Sequence, residues 1–494
     1  MWNNTYRLSM ITTAVERYRI GPPFLILMGG IAFGFFMVSF FMFLPNTYAT
    51  FLTVAMMAPL AIVIVGSAKR FLLAILTICL PITGVITLGK ARHLSGASGY
   101  MISVFDIVLG VLYLFWLIGI FRKRDIRVNF FPQISIPAFF LIGIAALSMA
   151  FARFPYLSEV EIIEMLKMYF CFLYLANNIK SKSDVQCVVI FLLLSLLFEA
   201  LLGFAQHRYG EPFFPTALGA PSPRAMDGSR ITGSWKSFND FAWYLGLIMP
   251  ISLSLLFSKI RPLYKFLCGL TFFLSGGSLI WTGSRAGWIS LGAGALFVGI
   301  SIFSKIRGKP GLVKTFAWIM VIAILISPLY PKLSAKFYGR FARGDRGSAE
   351  SRLPQFKVAW NIIKNNPMIG VGINNYTEVM DDYDITDEGI ESYTHHAVHN
   401  IYLHVAAETG ILGFTALIWL IAAILIEGIK YAISNRGFMV YVVIGMIAGT
   451  ITFLVHGLVD TASLGNKLYM FVWFFAGSIL AIKNIKFTTM PIRE

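Results

Sequence analysis

The sequence predicts an all-α polytopic membrane protein with about 12–14 transmembrane helices and two extracytoplasmic loops, the larger containing amphipathic helices. Composition is the first observation: the 494 residues are 57% hydrophobic and only 13% charged, with a mean hydropathy of +0.73. No soluble protein of this length could bury so much apolar surface. The second observation is that apolar runs of about 20 residues recur along the chain. The third is that Lys and Arg are concentrated in every second connection between these runs.

The apolar runs divide the chain into five segments. We expect residues 1–205 to form N-terminal transmembrane helices, 206–238 a first long extracytoplasmic loop, 239–329 central transmembrane helices, 330–400 a large extracytoplasmic loop, and 401–494 C-terminal transmembrane helices. The runs lie near 24–44, 48–66, 71–88, 104–121, 134–151, 163–178, 186–205, 239–257, 264–282, 286–303, 314–329, 401–426, 438–459 and 468–482.

The basic residues predict the orientation of the chain, because cytoplasmic loops carry an excess of Lys and Arg. If the N-terminus is inside, the basic connections all fall inside, among them Lys69-Arg70, Arg122-Lys123-Arg124, Lys180/Lys182, Lys259/Arg261/Lys265 and Lys430/Arg436. Both termini are then cytoplasmic, and both long loops lie outside. The net charge of +17 therefore reflects membrane topology, and no nucleic-acid partner is expected.

The first long loop is rich in Pro and Gly, which favours an irregular segment over a regular domain. Arg230 stands near its end, and it is either a solvated arginine at the membrane interface or a clamp for an anion. Arg285, in WTGSRAGW, lies between two apolar runs with almost no loop. We favour a position in a water-filled cavity for Arg285, at the first turn of a helix where free backbone N–H groups also attract anions.

The second long loop contains one amphipathic segment. In SRLPQFKVAWNIIK, residues 351–364, helical spacing puts Phe356, Trp360 and Ile363 on one face, which predicts a helix lying on the outer leaflet. The following NNPMIGVGINNY predicts tight backbone geometry from its Pro and Gly residues.

Four of the seven histidines fall within ten positions at the end of this loop, namely His395, His396, His399 and His404. Three interpretations compete: a zinc site, a structural role at a helix start, and general acid–base chemistry. The zinc interpretation is the weakest, because no H-E-x-x-H pattern is present. Acid–base chemistry is favoured, since an imidazole titrates near neutral pH. His456 and Asp460, four residues apart, either line the same cavity or bond each other.

Four segments together resemble the O-antigen ligase and O-antigen polymerase superfamily. The most specific is H-N-x9-G-x-x-G at 399–413. RITGSWKSFNDFAWYL at 230–245 is similar to the R-x-x-G…N segment of that superfamily, and TGSRAGW at 282–288 is similar to its T-x-S-R-x-x-W segment. RLPQFKVAWNIIKNNPMIGVGINNY at 352–376 resembles its long-loop pattern.

The resemblance implies a metal-independent, inverting membrane glycosyltransferase of the GT-C type that needs no cofactor. It implies catalytic roles for His399, Arg285 and Arg230, with the arginines neutralising the diphosphate of the leaving group. Substrate-binding roles are expected for four further residues, namely Arg352, Asn400, His396 and His395.

The resemblance also implies the partners. The donor would be a glycan linked to undecaprenyl diphosphate in the bacterial inner membrane, and the acceptor lipid A–core or another glycan, met on the periplasmic side. Ligation to lipid A–core is favoured over repeat-unit polymerisation or protein O-glycosylation. The alternative of another class is a transporter or flippase for lipid-linked glycan, but the sequence lacks the matching halves with broken helices that are typical of transporters.

Overall fold

The fold is known from a computed structural model that describes seven ranges of the chain, 67–82, 86–89, 97–123, 128–210, 230–305, 352–386 and 396–485. The runs predicted near 24–44, 48–66 and 314–329 lie outside these ranges, as does His395. The chain divides into two compact units, Met1–Ala74 and Ile75–Glu494. Of the first unit, residues 67–74 are described, and they contain the start of a helix.

The described part of the chain is almost entirely helical. Its first half contains α1 (Ala68–Ile78), β1 (Ile86–Leu88), β2 (Tyr100–Ile102), α2 (Val104–Lys123), α3 (Pro132–Ser148), a 3-10 turn (Met149–Phe151), α4 (Pro155–Asn178) and α5 (Lys182–Tyr209). Its second half contains α6 (Phe238–Leu256), α7 (Pro262–Thr282), α8 (Arg285–Lys305), α9 (Arg352–Asn365), α10 (Tyr376–Val379), a 3-10 turn (Met380–Tyr383), α11 (Ile401–Ser434), α12 (Phe438–His456) and α13 (Lys467–Asn484).

Eight of these helices are long and apolar enough to cross a membrane, namely α2, α3, α5, α6, α7, α8, α11 and α12. The predicted all-α polytopic class is therefore confirmed. The predicted runs at 163–178 and 468–482 form α4 and α13, which are not among these eight helices. The run at 71–88 is helical only as far as Ile78. Pro81 explains this end, because the residue before a proline avoids the helical conformation. The rest of the run reaches strand β1, which pairs antiparallel with β2.

Helix α6 is the most enclosed of the eight, with its residues from Phe241 to Leu255 all buried. Ser237 caps its start by accepting a hydrogen bond from the Asp240 backbone N–H at 3.0 Å. Helix α12 packs closely on α6, because Gly445 and Gly449 present only backbone to it. Small residues four apart allow two membrane helices to approach in this way. The C-terminal end of α12 is thereby held beside the start of α6.

Helix α11 is broken at Gly410, where φ is 65° and ψ is −170°. Its 34 residues would measure about 51 Å if straight, whereas the 19 residues of α12 measure about 28 Å. The two helices nevertheless meet at both ends: Ile401 N–H donates to the Gly457 carbonyl, and only three residues separate Ser434 from α12. The first nine residues of α11 must therefore run at a large angle to the rest. The predicted single span at 401–426 is in fact two helical segments.

The break is filled by backbone from the segment 366–372. Pro367 and Met368 carbonyls accept hydrogen bonds from Ile411 and Leu412, and Val371 N–H donates to the Ala407 carbonyl. A Cβ at Gly410 would lie 2.2 Å from the carbonyl carbon of Met368. Glycine is therefore required at position 410 both by the backbone conformation and by this contact.

We expect Gly410→Ala to destabilise the protein more than Gly437→Ala does. Both residues have a positive φ, but an added Cβ at Gly437 meets nothing within 4 Å. Backbone strain of about 1–3 kcal/mol is then common to both variants, and only Gly410→Ala adds the overlap with Met368. Thermal unfolding of the two purified variants in one detergent measures the difference. Equal melting temperatures would contradict the packing described here.

The segment 370–376 is also fixed from the other side, by the start of α4. Ser158 Oγ donates to the Ile373 carbonyl at 2.6 Å, and the Asn375 side chain accepts from Phe154 N–H at 2.7 Å.

Helix α9, just before this segment, is amphipathic as predicted. Its Phe356 and Ile363 pack against a protein core cluster, however, and of the three residues assigned to the leaflet face only Trp360 is exposed. The apolar face of α9 therefore packs mainly against the protein.

Candidate functional site

The site begins where α11 starts, at His399 and Asn400. The Asn400 side chain caps α11 by accepting from the backbone N–H groups of Tyr402 and Leu403, both at 2.9 Å. Its amide also donates to the Leu458 carbonyl at 2.9 Å, which ties this helix start to the loop after α12. Asn400 therefore has a structural role, and the substrate contact expected of it stays a prediction.

His399 lies directly before this cap and faces Asp460 in the loop between α12 and α13. Its Nδ1 is 3.0 Å from Asp460 Oδ1, and the imidazole is partly exposed. The Thr461 backbone N–H donates to the same oxygen at 3.0 Å. With Nδ1–H donating to the carboxylate, Nε2 keeps a lone pair that can accept a proton. This is the geometry of a general base oriented by a carboxylate.

Asp460 remains ionised in this environment. Burial by itself raises the pKa of the Asp460 carboxyl, but the hydrogen bond from His399 and the nearby His456 outweigh burial and hold this pKa well below its ordinary value. His456 Nε2 is 3.7 Å from Oδ2, too far for a hydrogen bond but close enough for charge attraction. The His456 ring is fully buried and stacks on Trp243 at 4.6 Å. The carboxylate therefore bonds His399 and also lies in ion-pair range of His456, so the two predicted alternatives do not exclude each other.

Arg352 and Gln355, on the first turn of α9, approach this pair from another side. Gln355 Oε1 accepts from the His399 backbone N–H at 3.4 Å. Burial lowers the pKa of Arg352, the negative charge of Asp460 raises it, and the positive charge of Arg285 lowers it further. Arg352 therefore lies within electrostatic range of both Asp460 and Arg285, so that a carboxylate, an imidazole and two guanidinium groups share one region.

Arg285 is the first residue of α8, as the sequence predicted. Ser284, before it, caps this helix by accepting from the Gly287 backbone N–H at 3.3 Å. The Arg285 side chain is exposed. A helix start carrying an exposed arginine is a favourable place for an anion, because the free N–H groups and the guanidinium act together.

Arg230 lies against the same turn. Its Nε donates to the Thr282 carbonyl at 2.7 Å, and its guanidinium lies over the Phe238 ring, 3.1 Å from the ring centre. The loop that follows is held from α5: Gln206 bonds the backbone of Thr232 and Gly233, and Glu199 accepts from Ser234. Arg230 and Arg285 are thus brought to one turn by separate parts of the chain.

The remaining predicted residues are less informative. His396 is exposed, and His395 lies outside the described ranges. Within those ranges, no group of three or more His, Cys, Asp or Glu side chains is placed to hold a metal ion. Asp460 was predicted either to line the same cavity or to bond His456, and its direct contact with His399 was not predicted. Gln355 carried no signal at all.

A comparison with protein families matches residues 270–418 to the family described as O-antigen ligase. The matched region runs from within α7 to within α11, and it contains Arg285, Arg352, His399 and Gly410. Arg230 and Asp460 lie outside it. No curated protein matches the chain. The match supports the superfamily that the four motifs predicted, since residues 270–418 of this chain match an O-antigen ligase domain.

Proposed function

We propose that this protein is a glycosyltransferase that moves a glycan from undecaprenyl diphosphate to an acceptor hydroxyl, on the periplasmic face of the inner membrane. Ligation of O-antigen to lipid A–core is the preferred reaction, without metal or cofactor. The family match supports ligase or polymerase activity in general. The observation that carries the finer proposal is the His399–Asp460 hydrogen bond, with Arg352 within electrostatic range of both Asp460 and Arg285.

In the proposed reaction, His399 Nε2 takes the proton of the acceptor hydroxyl while that oxygen attacks the anomeric carbon of the glycan. The bond between the anomeric carbon and the diphosphate oxygen breaks, and undecaprenyl diphosphate leaves with the bonding electron pair. A single displacement inverts the anomeric centre. The imidazolium that forms is stabilised by the ionised Asp460, and the released proton passes to solvent.

The guanidinium groups would act on the leaving group. Charge on the diphosphate increases as the bond breaks, so fixed cations stabilise the transition state more than the ground state. Arg352 interacts electrostatically with both Asp460 and Arg285, and Arg230 bonds the Thr282 carbonyl on the turn that precedes Arg285. The donor bond itself supplies the free energy, which suits a site without access to cytosolic nucleotides.

The test is a reconstituted assay with the purified full-length protein, lipid-linked glycan and a panel of acceptors. Glycan on lipid A–core together with free undecaprenyl diphosphate supports ligation. Glycan added to a second lipid-linked glycan, or to a protein, would replace ligation by polymerisation or protein O-glycosylation. Glycan that crosses a liposome membrane with its diphosphate bond intact would identify a carrier and overturn the proposal.

We expect Arg285→Ala to weaken binding of undecaprenyl diphosphate by about 10- to 100-fold, because a charge-assisted hydrogen bond to phosphate contributes about 1.5–3 kcal/mol. Arg285→Lys should recover part of this loss, since it keeps the charge but not the planar fork. Arg261→Ala is the matched control, because Arg261 is also exposed but lies before the opposite end of α7. Equilibrium binding of undecaprenyl diphosphate measures the effect, and equal affinities of the Arg285→Ala and Arg261→Ala variants would contradict it.

A further inference from the structure

A buried ion pair lies one turn inside α11, away from solvent. His404 and Glu408 are 2% and 3% exposed, and His404 Nε2 is 3.3 Å from Glu408 Oε1. Neither side chain can reach a substrate from this enclosed position. Buried ion pairs contribute little net stability, and their best-attested use is to specify one arrangement of their neighbours. The neighbours of this pair are the loops that hold His399.

The first connection runs through Thr461. His404 Nδ1 is 3.3 Å from Thr461 Oγ1, and because both ring nitrogens of the imidazolium in an ion pair carry a proton, Nδ1–H donates to the Thr461 hydroxyl oxygen. The Thr461 backbone N–H donates to Asp460 Oδ1, the same oxygen that accepts from His399. A displacement of Thr461 would therefore move the carboxylate that orients the proposed base.

The second connection runs through Tyr376. Glu408 Oε1 accepts from the Tyr376 backbone N–H at 3.1 Å, and the Tyr376 ring meets the His404 ring edge-on, with centres 5.5 Å apart. The Tyr376 hydroxyl donates to the Gln355 carbonyl at 3.5 Å, and the Gln355 side chain accepts from His399 N–H. The same ion pair is thus linked to both the side chain and the backbone of His399.

The loop bearing Asp460 is held at its other end by a second buried acid. Glu161 is fully buried in α4, and its Oε1 accepts from the Gly465 backbone N–H at 2.6 Å. Glu161 also lies close enough to His404 and Glu408 for their charges to interact. The loop 457–466 is therefore fixed at Thr461 and at Gly465, both of which follow Asp460, the residue that faces His399.

We propose that His404 and Glu408 are positioning residues for the transfer reaction, acting on His399 through Thr461–Asp460 and through Tyr376–Gln355. The proposal rests on the proposed function of His399. It extends that function to two side chains that touch neither substrate nor reacting atoms. Misplacement of a catalytic group by about 1 Å can cost about 100-fold in rate, so loss of the pair should lower kcat and leave the donor KM nearly unchanged.

A double-mutant cycle tests the proposal in the full-length protein, with lipid-linked glycan and the acceptor that gives product. His404→Gln is expected to lower kcat by about 10- to 100-fold. In the Asp460→Asn background the same change should cost less than about twofold, because groups that act as one unit are not additive. A His404→Gln variant with normal kcat, or an equal loss in both backgrounds, would overturn the positioning role.

Thr461→Val provides a milder second variant, since it removes only the hydroxyl that meets His404. Thr461→Val alone should lower kcat, and the double variant with His404→Gln should be no slower than His404→Gln alone. If the two losses multiplied in the double variant, the connection through Thr461 would be contradicted.

Glu427→Gln is the matched control for Glu408→Gln, because Glu427 is a buried acid on the same helix, paired with Lys483 at the far end. We expect a lower kcat for Glu408→Gln, and a kcat within about twofold of wild type for Glu427→Gln.

His399→Ala, measured beside these variants, separates the two proposals. Loss of transfer in His399→Ala with normal kcat in His404→Gln overturns only the positioning role. Retention of transfer in His399→Ala overturns the proposed base, and with it the positioning role that depends on that base.

Discussion

Transfer by the His399→Ala variant is expected to fall by at least about 100-fold, and up to about 10,000-fold, while the affinity for undecaprenyl diphosphate stays within about twofold of wild type. General-base catalysis contributes rate enhancements of this size. The donor should still bind, because its diphosphate is recognised by the guanidinium groups rather than by the imidazole. A steady-state transfer assay and an equilibrium binding measurement on one protein preparation measure both quantities.

His399→Gln distinguishes a base from a structural residue. Glutamine can donate a hydrogen bond toward Asp460, as His399 Nδ1 does at 3.0 Å, but it cannot accept the acceptor proton. The loss of transfer should therefore be as large as with alanine. Added imidazole should restore part of the rate to the alanine variant, in which the vacated space can admit it. If the glutamine variant transferred glycan at a rate near wild type, His399 would not be the base.

The transmembrane part of the fold was predictable because the physics is local. An apolar run of about 20 residues has few stable alternatives to a membrane helix. The runs near 104–121, 239–257 and 438–459 accordingly coincide with α2, α6 and α12 to within a few residues. The run at 71–88 was predicted less well, since hydropathy alone does not register that Pro81 interrupts a helix.

The break in α11 could not be predicted from the sequence. Gly410 and Gly413 are compatible with an unbroken helix, and Gly410 requires its unusual conformation only because the backbone of 366–372 occupies the break. That segment is more than thirty residues away in sequence. The same applies to α9, whose apolar face was assigned to the leaflet although part of it packs on the protein. A helical periodicity identifies the apolar face but not its partner.

The site was predicted by motif rather than by contact. His399 and Arg285 stood out because an ionisable residue at a membrane boundary is costly to keep without a function. Asp460 was predicted to line the cavity or to bond His456, but not to bond His399, because that contact spans 61 residues and no periodicity encodes it. His404 was grouped with the other histidines by sequence proximity, but the structure separates them: His404 is buried with Glu408, and His399 is partly exposed beside Asp460.

The Asp460→Asn variant is expected to lose about 100- to 10,000-fold in kcat, with donor binding nearly unchanged. An asparagine amide can face His399 with its NH2 group, which favours the tautomer that carries the proton on Nε2 and leaves no base. In the Ser-His-Asp triad the corresponding change costs about 10,000-fold. The assay for His399→Ala measures this loss as well, and a normal kcat would show that His399 does not depend on Asp460.

The pH dependence of wild-type stability gives a second, independent test of the Asp460 carboxylate. Because the folded state lowers the pKa of Asp460, the ionised carboxylate stabilises the fold above its unfolded pKa of about 3.9, and this contribution is lost only as the pH falls through the lower folded pKa. Between pH 5 and 8 Asp460 should therefore stay charged, and the stability of the wild-type protein should show no transition caused by Asp460.

Asp382→Asn is the control for Asp460→Asn in the transfer assay, because Asp382 is an exposed aspartate paired with Arg153 and exposed pairs contribute little. A comparable loss of transfer in Asp382→Asn would mean that removing an acidic side chain outside the site also impairs transfer. The specific role of Asp460 would then be contradicted.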